Sequence, residues 1–343
     1  MNQHIGKQSI LFETPPVIRS TAAIGGKKEI EGPLASHFDI LNSDTKFGQE
    51  SWEKAESTMQ KLALQTALEK TELKESNLDV VFAGDLLNQC IGSSFSLRGS
   101  GIPALGLYGA CSTMAEGLCL GSMAVSSGFA RTAAVITSSH FAASERQYRY
   151  PLGYGGQRTP TAQWTVTGSG CAVLTQSGTG PRVTRATIGE IVDMGITDAN
   201  NMGAAMAPAA FETIRAHLRD FSLVPEDYDL IVTGDLGKVG KSIVLDLFER
   251  ENIHIAPVYD DCGTMIYDLN KQDVHAGGSG CGCSGVVLCG YLMHLMAQKK
   301  LHKLLFCGTG ALLSPTSTQQ GESIPAVCHA VSIFSEEAES WST

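Results

Sequence analysis

An internal repeat constrains the fold of this chain more than any other feature. Residues 228–236 repeat residues 78–86 in residue type, since each segment is an apolar strand-like run that ends in Gly-Asp-Leu. Cys283 then begins an apolar helix as Cys111 does, 172 residues earlier. Strand, helix and strand in two similar halves predict an α/β fold of two pseudo-symmetric halves with mixed, mostly parallel sheets. We place these halves at residues 1–180 and 181–343.

Composition limits the class of protein. The formal net charge is −10, from 25 basic and 35 acidic residues, and no run of Lys and Arg occurs, so nucleic acid is not an expected partner. Residues 1–8 lack the apolar core of a signal peptide, so the ten cysteines are interpreted as thiols of a reducing compartment. The uncharged run 276–298 begins with a glycine-rich turn and contains His294. It therefore predicts a buried helix, and no transmembrane segment is expected.

Cys111 is the first candidate for a functional residue. It lies between an apolar run at residues 102–107 and a helix of small residues at 112–130. The positive end of a helix dipole and its unpaired N–H groups lower the pKa of a nearby thiol, which is how such a sulfur becomes a nucleophile. The alternative is that Cys111 is one more packed, inert thiol.

The loop at residues 138–158 is the second candidate. It follows a strand-like run that begins at Arg131, so it leaves the sheet at a carboxyl end, where open α/β sheets bind ligands. Guanidinium groups bind carboxylates in pairs of hydrogen bonds, and aromatic rings stack on flat ligands. The alternatives are that the arginines pair with acidic residues of the protein, and that the histidine has a core or capping role. The candidate ligand-binding residues are His140, Arg146, Tyr148, Arg149 and Arg158.

Two further patterns predict neither a cofactor nor a metal. Residues 280–285 match the dinucleotide-binding pattern G-x-G-x-x-G, but a firm preceding strand and a later acidic residue are missing, so close helix packing is the expected reason for these glycines. Cys262, His275, Cys281 and Cys283 lie near one another in sequence, but no second ligand pair has the spacing of a zinc finger.

Several motifs resemble the thiolase and ketoacyl-synthase superfamily. They are the turn at 110–112, the segments 167–174 and 275–280, and residues 307–310. The resemblance implies a five-layered α/β/α/β/α architecture and a homodimer. Within the superfamily the chain is most similar to the stage V sporulation protein AD family of spore-forming bacteria, which is known to bind dipicolinic acid, pyridine-2,6-dicarboxylate. The segments that carry this similarity are 83–89, 108–113, 145–147 with 149–151, 201–210 and 309–316.

The chain departs from the catalytic motifs of the superfamily. Synthase-type condensing enzymes support the cysteine with a histidine that should follow the strand at 228–232, but residues 233–240 contain no histidine. The thiolase motif His-Pro-x-Gly-x-Ser-Gly is represented by residues 275–280, which lack the proline. His275 and Cys307 remain possible catalytic positions, Cys307 because it matches the acid-base cysteine of thiolases in type. Cys111 is then a vestigial nucleophile position.

The resemblance implies a non-catalytic protein that binds dipicolinic acid, free or as its calcium chelate, for uptake into the developing spore and release in germination. The alternatives are an acyl-transferring condensing enzyme with Cys111 as nucleophile, and a scaffold without a ligand. The implied partners are integral membrane proteins of the same sporulation channel. The implied location is peripheral, on the cytoplasmic face of the forespore inner membrane. Cys111, Gly278 and Ser279 join the five residues of the loop as the expected ligand-binding set.

Overall fold

The computed structural model describes residues 3–148 and 158–337, in which strands and helices alternate. The strands are β1 Gln3–Ile5, β2 Ser9–Leu11, β3 Val17–Gly25, β4 Ile40–Leu41, β5 Val80–Gly84, β6 Ala104–Leu107, β7 Thr132–Ser139, β8 Trp164–Thr165, β9 Gly168–Thr175, β10 Arg182–Thr187, β11 Leu230–Thr233, β12 Tyr259–Asp261, β13 Gly278–Ser279, β14 Lys303–Ala311 and β15 Ala326–Phe334. The helices are α1 Lys27–Ile30, α2 Trp52–Glu69, α3 Ile91–Ser96, α4 Thr113–Ser126, α5 Phe141–Tyr148, α6 Met202–Asp220, α7 Gly237–Arg250, α8 Cys262–Met265, α9 Cys281–Val286, α10 Met293–Ala297 and α11 Pro315–Gln319.

The two halves have the same sheet topology. The strand order is β3-β9-β7-β5-β6 in the first half and β10-β15-β14-β11-β12 in the second. In each half the second strand of this order is antiparallel to both its neighbours, and the last three strands are parallel. The pair Arg182 and Val17 joins β10 to β3 at the junction of the halves. The predicted fold class, mixed and mostly parallel α/β sheets in two pseudo-symmetric halves, is confirmed.

The helices and sheets form five layers, as the resemblance implied. Helix α4 contacts β5 and β7 on one side and β14 and β15 on the other, and α9 contacts β3, β7 and β9. Helix α2 covers the outer side of β3, β7 and β9, and α6 covers β14 and β15. The small side chains of α4 permit its position between two sheets, because a Cβ atom at Gly117 would lie 2.5 Å from Cγ1 of Val135.

Glycines hold α9 against the first sheet. A Cβ atom at Gly285 would lie 2.6 Å from Oγ1 of Thr137, and one at Gly170 would overlap the backbone of Gly285. This contact confirms that the glycines of the 280–285 pattern serve close packing. The uncharged run forms α9, a π-helical turn over Val287–Leu292 and α10. Among the residues described here, no helix is both long enough and apolar enough to span a membrane.

Candidate functional site

Cys111 lies where the two halves meet. It belongs to the short 3-10 turn Ala110–Ser112 between β6 and α4, and Ala110 adopts a left-handed φ of 51° there. Strand β14 of the second half passes against this turn, because a Cβ atom at Gly310 would lie only 2.6 Å from the carbonyl oxygen of Gly109. Glycine at position 310 therefore allows the cysteine turn of one half to rest on a strand of the other.

The side chain of Cys111 lines a small cavity of about 100 Å³. Leu86, Met202 and Leu313 give the cavity an apolar wall. The polar wall residues are Ser144, Glu145, Thr165, Ser279 and Thr318, together with the phenol of Tyr148. Such a mixture of apolar surface and a few polar groups is typical of a site for a small molecule.

The carboxylate of Asp235 lies beside the Cys111 thiol, close enough for each group to shift the pKa of the other. Asp235 follows β11 and is 0% exposed, and it accepts hydrogen bonds from Oγ1 of Thr309 at 2.9 Å and from the N–H of Gly280 at 2.8 Å. It lies in the segment where a synthase-type enzyme would place its first histidine. The segment in which the resemblance led us to look for a histidine therefore contributes a buried acid.

Burial and the charge of Asp235 determine the protonation of Cys111. Burial raises the pKa of Asp235 to about 6. Burial, followed by repulsion from Asp235, raises the pKa of the Cys111 thiol well above its usual range. The expectation that a helix N-terminus would lower this thiol pKa is therefore wrong here, because desolvation and a neighbouring acid outweigh the dipole.

A second buried thiol lies beside Cys111. Cys281, the first residue of α9, forms an apolar cluster with Cys111 and Leu86, and Tyr148 packs against that cluster. Its thiol donates a hydrogen bond to the carbonyl oxygen of Ser138 at 2.9 Å. Burial raises the pKa of Cys281 well above its usual range, so this thiol is also protonated at neutral pH.

The structure brings three of the predicted ligand-binding residues together. Cys111, Tyr148 and Ser279 all line the cavity. The phenol of Tyr148 donates to the carbonyl oxygen of Leu86 at 2.8 Å, which fixes the ring over the cavity. Gly278 is adjacent but does not line the cavity, and its carbonyl oxygen accepts a hydrogen bond from Nε2 of Gln163 at 2.7 Å.

The arginines of the loop have protein partners where the structure describes them. Arg146 forms an ion pair with Glu53, and Arg158 forms one with Asp273 at 2.7 Å. Neither lines the cavity, so for these two residues the structure agrees with the alternative interpretation of the loop. Arg149 lies outside the described residues. Within residues 3–148 and 158–337, the cavity wall contains no arginine or lysine.

The remaining predicted residues lie away from the cavity. Nε2 of His140 is 2.7 Å from the carbonyl oxygen of Thr45, and burial lowers the pKa of this imidazole. Nε2 of His275 is 3.3 Å from Asp273. The thiol of Cys307 is buried in the core of the second half, beside Cys328. None of the three lines the cavity, so the structure does not support a ligand contact of His140 or a role for the possible catalytic positions His275 and Cys307 at this cavity.

Sequence reasoning missed Asp235 and Cys281 as site residues. The signal for Asp235 was present, because the repeat places the same Gly-Asp-Leu after β5 and after β11. Asp85, the counterpart of Asp235, is also buried and accepts hydrogen bonds from Ser93 of its own half. The lack of a histidine in residues 233–240 is the feature that the superfamily motif brings out, and it does not point to the acid in the same segment.

The fold is the thiolase-like fold of the condensing enzymes. The structure is similar to that of 3-oxoacyl-[acyl-carrier-protein] synthase III from Aquifex aeolicus VF5, with a TM-score of 0.58 and 14% sequence identity over 93% of this chain and 99% of that chain. It is also similar to cerulenin-bound OleA of Xanthomonas campestris, with a TM-score of 0.57 and 14% identity over 94% and 97% of the two chains. At this identity the likeness establishes the fold alone.

Sequence comparison establishes the family. The model of the stage V sporulation protein AD family matches residues 6–334. The stage V sporulation protein AD of Bacillus subtilis (strain 168) is 45% identical over 326 residues, which cover 95% of this chain and 96% of that protein. The chain belongs to the stage V sporulation protein AD family.

Proposed function

We propose that this chain is a non-catalytic, thiolase-like protein that binds dipicolinic acid, free or as its calcium chelate, for uptake into the developing spore and release in germination. The observation that carries the non-catalytic part is the contact between the Cys111 thiol and the buried carboxylate of Asp235. Thioester formation needs a thiolate, and a carboxylate beside the sulfur disfavours one. Asp235 is also a poor base for this thiol, because its pKa of about 6 lies far below that of Cys111.

The cavity offers contacts that suit a small, flat acid. The ring of Tyr148 and the side chains of Leu86 and Leu313 supply flat and apolar surface for an aromatic ring. The hydroxyl of Ser279 is available as a donor to a carboxylate, whereas that of Thr165 donates to Oε1 of Glu145 at 3.5 Å. A calcium ion carried with the ligand would reduce the negative charge that enters this acidic protein.

Two measurements on the purified protein test the proposal. Calorimetric titration with dipicolinate, alone and with equimolar calcium, should show saturable binding. Intact-mass analysis after incubation with an acyl-coenzyme A should show no adduct, with Cys111→Ser as the control that identifies the site of any adduct. An acyl group on Cys111 would support the condensing-enzyme alternative, and the absence of both adduct and binding would support a scaffold.

The edge of the first sheet is the surface through which we propose that two copies form a homodimer. Strand β6 ends the strand order of that sheet, and Leu105 and Tyr108 beside it are 56% and 50% exposed. An exposed edge strand with apolar side chains is a template for pairing with a second strand.

A charge at this edge should therefore dissociate the dimer. We expect Leu105→Lys to be monomeric in sedimentation or light scattering at concentrations where the parent is dimeric, because two like charges would face each other across the pairing. Val224→Lys is the matched control, since Val224 is 55% exposed on the second half. A monomeric parent, or a Leu105→Lys variant that stays dimeric, would contradict this proposal.

We also propose that the protein lies on the cytoplasmic face of the forespore inner membrane through contacts with integral membrane proteins of the same sporulation channel. Membership in a sporulation protein family supports the cellular setting.

A further inference from the structure

A buried acid lies directly behind the floor of the cavity. The carboxylate of Asp235 accepts a hydrogen bond from the N–H of Gly280 at 2.8 Å and lies beside the Cys111 thiol, and both of these residues line the cavity. We infer that Asp235 takes up a proton when a carboxylate ligand enters this cavity, so that the ligand and one proton bind together. This inference rests on the proposed function, and it identifies how the site accepts a doubly charged anion.

Among the residues that the structure describes, no positively charged side chain faces Asp235. Thr309 of β14 contributes a hydroxyl, and Asp261 at the end of β12 is a second buried acid. Glu145 of α5 lines the same cavity, and several buried thiols lie around Asp235, where burial raises their pKa values and keeps them neutral. These thiols are Cys111 before α4, Cys262 of α8, and Cys281 and Cys283 of α9.

A ligand carboxylate beside Cys111 would add a negative charge to this environment. Two carboxylates that share a poorly solvated site cannot both remain ionised without a large repulsion, so the pKa of one of them rises. Asp235 is the expected acceptor of the proton, because its carboxylate bonds to Gly280 of the cavity wall and burial has raised its pKa to about 6. Asp261, whose pKa burial raises to about 7, bonds instead to the N–H groups of Leu236 and Gly237, which do not line the cavity. Dipicolinate itself is less ready to take up this proton. Carboxyl groups in water have a pKa of roughly 4, and the ligand's carboxylates stay in contact with polar groups of the cavity wall.

The proton balance and the hydrogen bonds are both consistent with this step. The empty protein carries an ionised Asp235 at pH 7, the ligand enters as a dianion, and one proton is taken from the buffer. In the complex the carboxyl group of Asp235 is neutral, so it no longer repels the ligand carboxylate across the Cys111 side chain. Thr309 and Gly280 continue to donate to the two carboxyl oxygens.

The inference predicts the sign and the window of the pH dependence. Below about pH 6, Asp235 is protonated with or without ligand, so the affinity should be flat. Above that value the free protein is ionised and the complex is not, so the affinity should fall by up to about tenfold for each pH unit. The dependence should disappear when the carboxyl group is replaced by an amide.

The experiment is calorimetric titration of dipicolinate into the full chain at pH 7 in phosphate and in Tris, whose ionisation enthalpies differ. The parent should take up close to one proton for each ligand bound. Asp235→Asn should take up none and should bind with similar affinity at pH 6 and pH 8. Asp85→Asn is the matched control, because Asp85 is the counterpart of Asp235 in the first half and does not line the cavity. That variant should behave like the parent.

A second readout does not depend on any variant folding correctly. Infrared difference spectra of the parent should gain the band of a protonated carboxyl group when dipicolinate is added at pH 7. Dipicolinate binding without proton uptake, or uptake that persists in Asp235→Asn and is lost in Glu145→Gln, would overturn the assignment to Asp235 and leave the proposed function standing. Absence of dipicolinate binding by the folded parent would overturn both.

Discussion

Cys111→Trp should weaken dipicolinate binding by at least about 100-fold, whereas Cys111→Ser should bind nearly as the parent does. Cys111 is 7% exposed at the floor of a cavity of about 100 Å³, so an indole ring at this position fills the space that the ligand needs. Serine is close in size to cysteine, and its hydroxyl can still donate to Asp235. Calorimetric titration of both variants, with melting temperatures to verify the fold, measures the difference.

A second substitution that blocks the same cavity tests this prediction if Cys111→Trp does not fold. Ala199 also lines the cavity and lies on the segment before α6, outside regular structure. Ala199→Trp should therefore reduce binding without changing the cysteine turn. If Cys111→Ser folds normally and fails to bind, the thiol itself contributes to the site, and the view of Cys111 as a vestigial position is wrong.

Gly170→Ala should destabilise the protein by about 3 kcal/mol or more. A Cβ atom at this position would overlap the backbone of Gly285, so β9 and α9 would have to move apart. Backbone atoms cannot rotate away from the overlap as a flexible side chain would. Urea unfolding of the variant and the parent measures the change in the free energy of unfolding.

Gly106→Ala is the control for this effect. It also adds one methyl group to a glycine within a strand, but no atom lies within 4 Å of the Cβ position there. Because Gly106 lies on the proposed dimer edge, both glycine variants are compared in the Leu105→Lys background, where the unfolding midpoint of Gly106→Ala should lie close to that of Leu105→Lys alone. Equal midpoints for the two variants would show that the glycine contact between β9 and α9 is not needed for stability.

The topology was predictable from sequence because the repeat is local. Each copy contains an apolar strand that ends in Gly-Asp-Leu, and these strands became β5 and β11 at corresponding places in the two sheets. The turn at Cys111 was predictable for the same reason, since a strand, small residues and a helix follow one another within a few positions. Local patterns of this kind need no knowledge of distant contacts.

The chemistry of the site was less predictable because it depends on contacts between distant segments. Arg146 forms an ion pair with Glu53, which is 93 residues away in the chain. This ion pair neutralises the positive charge that the sequence suggested for binding a ligand. Asp235 reaches Cys111 only because the two halves pack against each other. No spacing within either half indicates that an acid would replace a basic side chain beside the sulfur.

The duplicated fold has a consequence for stoichiometry. A chain with two equivalent halves could carry two ligand sites, one at each cysteine that the repeat aligns. The halves differ at this point, because Cys111 borders a cavity while Cys283 is 0% exposed under the packing of α9. Asp235, the acid of the second half, is also used by the cysteine of the first. The symmetry of the backbone therefore does not extend to the chemistry, and a saturated chain should hold one ligand rather than two.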